Sequence, residues 1–215
     1  MLDPGHAQVE LGVVEYEMER IVGQSSNSLV MMKNIYKLGL FDRVDIEALH
    51  APGSYAVRAK RFRLDTQMMF RMKINILGEG SPVQLTLVPA VMAPITRLGT
   101  AEAGGYVFLG GELPFDIEFE LNVGGLSETD PDTKRRHVAP VVTTAFTRRI
   151  GGPISGFAEW YNDTTTADLG KWNATADTGL LYLLNKDIQL DAGAYIGLWG
   201  QVPAITPFFG LSARM

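Results

Sequence analysis

Phe62-Arg63-Leu64-Asp65-Thr66-Gln67-Met68-Met69-Phe70-Arg71-Met72-Lys73-Ile74-Asn75-Ile76 sorts its residues by parity. The even positions are almost all apolar: Phe62, Leu64, Met68, Phe70, Met72, Ile74 and Ile76, with Thr66 among them. The odd positions carry Arg63, Asp65, Gln67, Arg71, Lys73 and Asn75, with Met69 the exception. A helix would scatter this set around its circumference, whereas a strand separates it into two faces. Phe115 to Val123 repeats the pattern, setting Phe115, Ile117, Phe119, Leu121 and Val123 against Asp116, Glu118, Glu120 and Asn122. The same alternation runs through 173–184, 188–199 and 207–215. Strands of this length exceed the five or six residues usual in soluble sheets and suit tilted strands that cross a bilayer.

The connections alternate in length. Short turns lie at 39–42, 78–81, 112–114, 151–153 and 185–187, each with Gly, Pro, Asn or Asp, as hairpins require. Longer polar loops are expected at about 21–28, 50–61, 97–104, 126–137, 165–171 and 200–206. One plain rim and one elaborated rim is the layout of an outer-membrane barrel. About twelve strands result: 6–20, 29–38, 43–49, 62–77, 82–96, 105–112, 115–124, 138–150, 155–164, 173–184, 188–199 and 207–215. The number is even, so a closed antiparallel meander brings both termini to one rim. No Pro/Gly/Ser-rich linker divides the chain, and the reading is a single domain over 1–215. Two local features depart from a plain meander. Pro89 lies inside the fifth strand and has no ladder donor, which suggests a bulge. The first strand changes parity between Glu10 and Glu15, which predicts a bulge near Val13 and Val14.

Composition excludes several classes. The 215 residues carry 46% hydrophobic and 20% charged residues, with a mean hydropathy of +0.06, which argues against a disordered chain. The net charge of −5 offers no basic face, so no nucleic-acid partner is expected. With no cysteine and three histidines (His6, His50, His137), neither a metal nor a cofactor is expected. Gly-Gly-Pro-Ile-Ser-Gly at 151–156 lacks the spacing of a nucleophile elbow and reads as a turn. No histidine has a serine neighbour at matching height on an adjacent strand, so no enzyme is expected. No run of about 18 apolar residues exists to form a membrane helix. Met-Leu-Asp-Pro-Gly at the start is not a signal peptide, which leaves either a cytosolic protein or one whose leader has been removed.

A soluble sandwich would bury the apolar faces against a second sheet, and a membrane barrel turns them to lipid. The polar faces run the full length of several strands. Aromatics cluster near strand ends (Tyr16, Tyr36, Phe41, Phe62, Tyr106, Phe115, Trp160, Trp172, Tyr182, Trp199, Phe209), as interfacial girdles do. The reading is an all-β, closed up-and-down transmembrane barrel of outer-membrane type.

Asp177 to Leu198, followed by Pro207 to Arg214, resembles the end of the family known as MetA-pathway of phenol degradation, proteobacterial outer-membrane β-barrels often labelled transporters. Lys37 to Glu47 looks like that family's second hairpin, and Gln8 to Gly12 like its first strand. The middle of the chain matches in pattern only. The resemblance implies an outer-membrane location and passage of small hydrophobic or aromatic compounds, and it assigns no site residue. Met215 departs from the terminal aromatic that outer-membrane barrels usually present to the assembly machinery.

Turn positions set heights on the wall. Asp45 and Glu47 leave one short turn while Arg71 and Lys73 approach the next, so they should pair across the ladder. Asp116 and Glu118 leave the turn at 112–114, and Arg149 approaches the turn at 151–153. Arg214 should close against His6, Gln8 and Glu10. With Arg63, Asp65, Glu120 and Asp191, these charges are expected to line the lumen. They form either a structural lattice or a selectivity constriction with a transverse field. Twelve strands fall between the eight that side chains fill and the sixteen or more that leave an open channel. The expected partners are the lipid bilayer, lipopolysaccharide, the assembly machinery and a small solute, with an oligomer or complex left open. A pore or transporter is the leading reading, and a plugged barrel that anchors a membrane complex is the alternative.

Overall fold

The computed structural model describes residues 1–21, 24–50, 53–57, 60–64, 67–78, 81–95, 100–129, 135–164 and 172–215. Among them are fourteen strand segments and no helix: β1 (Ala7–Ile21), β2 (Gln24–Phe41), β3 (Val44–His50), β4 (Gly53–Ala56), β5 (Arg61–Leu64), β6 (Gln67–Leu77), β7 (Val83–Pro94), β8 (Glu102–Leu113), β9 (Ile117–Thr129), β10 (Arg136–Gly151), β11 (Ile154–Thr164), β12 (Trp172–Asn185), β13 (Ile188–Trp199) and β14 (Ile205–Arg214). Each pairs antiparallel with its neighbours, and β1 pairs with both β2 and β14, so the sheet closes. Closure removes the strand edges around the ring, except that among the described residues β5 pairs on one side only, with β4.

Fourteen segments occupy twelve places in the ring. β3 and β4 both pair with β2, while β6 pairs with β3 and β5 with β4. β3 with β4 and β5 with β6 therefore share the third and fourth places. The stretch 50–61, expected as a loop, thus contains strand, because four residues are too few for alternation to show. β2 likewise begins at Gln24, inside the expected loop 21–28. A strand of about ten residues crosses the hydrocarbon layer, so the 18 residues of β2 extend past it. Beyond the lipid a strand has no apolar face to display. The expected loop 165–171 lies outside the described residues.

The faces are inverted relative to a soluble protein. Phe70, Met72, Leu87, Val107, Leu180, Ile196 and Phe209 are each 40–53% exposed, while Asp45 and Glu47 are 2% exposed. A soluble sandwich requires the reverse. Exposed apolar side chains along the outward positions of most strands suit a lipid-facing wall, and the polar face lines the interior.

The parity change in β1 is resolved as expected. Gly12 pairs with Gly210 and Val14 with Phe209, so one residue is inserted between them. That insertion brings Glu15 to the inner face, opposite Phe208. Pro89 is accommodated without a bulge. Arg71 pairs with Ala90 and Ile74 with Leu87 in one register, and the ladder between them is interrupted opposite Pro89. Proline has no N–H to give, so the β6–β7 ladder loses pairs there instead of shifting. Both termini meet at the short-turn rim, where Ala7 and Met215 exchange backbone hydrogen bonds of 2.9 and 2.8 Å.

Candidate functional site

Residues opposite one another across a ladder share a face, so the pairings can be followed as rows around the inner wall. One row reads Arg214, Gln8, Lys37, Glu47, Arg71, Ala90, Gly104, Leu126 and Ala139. Its polar half carries three cations and a single carboxylate. Glu47 accepts from Arg71, with Nη2 at 2.5 Å and Nε at 2.8 Å of Oε2, and Lys73 Nζ lies 3.0 Å from Oε1. Lys37 bridges onward, 2.5 Å from Glu10 Oε1 and 4.0 Å from Glu47. Two inward positions further along β2, Lys33 pairs with Glu15 at 2.6 Å. The side chain of Glu47 is wholly buried. Such burial of a charge is tolerable because cations and their hydrogen bonds surround it.

A second row reads Gly110, Glu120, Ala145, Glu159, Asp177, Tyr195 and Thr206. It carries three carboxylates. Among the described residues no cation lies within ion-pair distance of Glu118, Glu120, Glu159, Asp177 or Asp191. The ring order places β11 opposite β3, so the acidic row faces the Glu47 cluster across the barrel. Tyr106, Phe108, Tyr161, Tyr195 and Phe208 also stand on the inner face. Tyr106, expected in an interfacial girdle, instead pairs with Val88 and Gly124 and points inward.

Asp45 does not pair with Lys73, although the two are in register. Its carboxylate accepts the Leu2 amide at 3.1 and 3.3 Å, and Leu2 is buried. Residues 1–4 thereby turn into the short-turn mouth. They help line a cavity of about 660 Å³ whose other walls include Lys73, Thr86, Phe108, Gly110 and Glu120.

Two of the expected charges sit elsewhere. Asp116 is a turn residue with φ +55°, next to Phe115 at φ +71°, and β9 begins after it at Ile117. Two consecutive positive φ values close a tight hairpin, so Asp116 sits at the rim and not on the wall. Arg149 lies beyond the last β9–β10 pair, Ile117 with Arg148, and donates to the carbonyl of Gly152 at 2.9 and 3.1 Å. It fastens its own turn and pairs with neither Asp116 nor Glu118. Arg214 is opposite Gln8 as expected, but Glu10 is taken by Lys37. Glu118, Glu120 and Asp191 face inward. Asp65 lies outside the described residues, and of Arg63 only the backbone is described.

Glu159 and Asp177 were not among the expected charges. The signal was present for both. Asp177 falls on the polar parity of 173–184, and Glu159 alternates with Ala158 and Trp160. What the alternation could not show is that they meet, because that depends on the β11–β12 register.

The fold is that of an outer-membrane-type β-barrel. No protein-family model matches the chain, and no curated protein matches it in sequence. Among solved structures, it is similar to an outer-membrane channel from Pseudomonas putida F1, at TM-score 0.68 and 10% identity, over 100% of this chain and 97% of that one. It is similar to the KdgM porin in complex with disordered oligogalacturonate, at TM-score 0.61 and 8% identity, over 96% and 98%. The NanC porin follows at TM-score 0.57 and 12% identity, over 94% and 100%. At such identities the likeness is one of fold.

Proposed function

We propose that this chain is an outer-membrane pore for small solutes, with its short-turn rim toward the periplasm. One observation carries the reading: a closed twelve-place barrel has an apolar outer wall and a charge-bearing inner one. A lipid-facing polar wall would be prohibitively costly, and a polar interior is what a water path requires. Its charges are unevenly balanced: Lys33, Lys37, Arg71 and Lys73 are paired with carboxylates on one arc, while Glu120, Glu159, Asp177 and Asp191 face them without paired cations among the described residues. A transverse field of this kind orients a dipolar solute in transit. The rings of Tyr106, Phe108, Tyr161, Tyr195 and Phe208 among these charges suit aromatic or partly apolar solutes.

Liposome swelling tests the reading. Vesicles containing the refolded protein should admit small sugars and amino acids faster than empty vesicles, and admit cations faster than anions of equal size. Swelling no faster than that of protein-free vesicles rejects the pore. A plugged, structural barrel is favoured by one feature, the buried inward group Val88, Ala90, Leu126 and Ala139, which narrows one arc. The same vesicles decide between the two readings.

A further inference from the structure

Glu159, Asp177 and Tyr195 stand side by side on β11, β12 and β13 in direct register. Carboxylates placed opposite each other across a ladder repel. Asp177 is 6% exposed, and although Thr175 donates to its carboxylate, Oδ1 has no hydrogen-bond partner. A buried acceptor left empty is costly, so its persistence points to something that fills it. Glu15 and Asp191 lie within electrostatic reach of the Tyr195 ring, which adds to the negative potential.

The surroundings say what kind of cation fits. Among the described residues, no three carboxylates or imidazoles converge as a metal ion would need. Aromatic rings adjoin the acids instead. Phe208 stacks on Tyr195 with centroids 4.6 Å apart at 32°, and Phe157 lies 6.3 Å from Phe208. Both phenylalanines occupy space left by missing side chains. A Cβ on Gly179 would come within 2.7 Å of the Phe157 ring, and one on Gly193 within 2.8 Å of the Phe208 ring. Gly179 is two residues from Asp177, and Gly193 is two residues from Tyr195, so rings and carboxylates belong to one patch. Carboxylates beside aromatic rings recognise an ammonium group on an apolar body.

We infer that this wall is a binding subsite for an organic monocation, an ammonium held by Glu159 and Asp177 with its aromatic or apolar body against Tyr195, Phe208 and Phe157. The inference rests on the pore reading, because a solute reaches the patch through the lumen, and it names the solute class that the reading leaves open. In the Glu47 cluster on the opposite wall, Oε1 likewise accepts no hydrogen bond, but Lys73 Nζ stands 3.0 Å from it and Arg71 pairs with the other oxygen, so the charge there is already met by cations of the chain itself.

Calorimetric titration of the refolded, detergent-held protein tests it. Phenethylammonium is the probe, with phenethyl alcohol and phenylacetate as its neutral and anionic matches. Saturable binding of the cation is expected, with the two matches roughly tenfold weaker or more. Asp177→Asn and Glu159→Gln should each weaken it roughly tenfold, and Phe208→Leu by a smaller factor of about three. Heat-modifiable gel mobility establishes that each variant is folded before it is titrated. Affinity unchanged in both carboxamide variants, or equal affinity for the alcohol, overturns the site. Titration needs no ion flow. A barrel that binds the probe but admits no solute to vesicles rejects the pore and keeps the site, and one that admits solutes but does not bind rejects the site alone.

Discussion

Around Glu47, cations from β2 and β6 converge on one buried carboxylate. Across the barrel, around Asp177, carboxylate faces carboxylate and an oxygen goes unmatched. Both regions are rows of the same inner wall, built by the same alternation. Their difference lies in whether charge is balanced within the protein. A balanced buried cluster holds strands together, and its removal is felt as lost stability. An unbalanced one weakens the sheet, and its removal is felt as lost interaction with whatever enters.

Substitutions separate the two. The largest effect is expected for Glu47→Ala, which leaves Arg71 and Lys73 facing each other without a counter-ion. Urea unfolding in detergent should show a loss of about 3 kcal/mol. A loss below about 1 kcal/mol would place this cluster with ordinary surface ion pairs. Asp177→Asn should do the opposite, holding or raising stability by up to about 1 kcal/mol as like-charge repulsion is relieved. In bilayer recordings the same variant should lower the preference for cations. Removal of residues 1–4 frees Asp45 from the Leu2 amide and clears the short-turn mouth. Conductance should rise, and the sign of selectivity should stay, because the acidic row is untouched. The smallest effect is expected for Asp116→Asn, an exposed turn residue, with stability within about 0.5 kcal/mol of the parent. Its reversal potential should also be unchanged, whereas Glu120→Gln on the wall should shift it.

Much of the barrel is legible as alternation. Phe62 to Ile76 sets strand and faces at once, because lipid and water impose opposite chemistry on successive residues. The tight turns are legible for the same local reason. So is the bulge at Val13, since a strand that switches parity without turning must carry an extra residue. Pro89 marks the limit. Its lack of a donor is plain, but whether the ladder shifts or loses pairs depends on β6. Heights counted from turns suffice for Glu47 and Arg71. They mislead at Asp116, because Phe115 and Asp116 both belong to the turn, and that two-residue difference removes a charge from the wall. Asp45 found its partner 43 residues away in the chain, at Leu2, a contact with no periodic trace. The acidic row needed six registers at once, which only the closed sheet supplies.

Single-channel recording in a planar lipid bilayer tests the central claim, that the charge-bearing face is the inside of a membrane barrel with an acidic side left unneutralised. The prediction is discrete conductance steps that scale with salt, a reversal potential favouring cations, and loss of that preference in a Glu159→Gln, Asp177→Asn double variant. A protein that stays monodisperse without detergent and leaves the bilayer silent would contradict it.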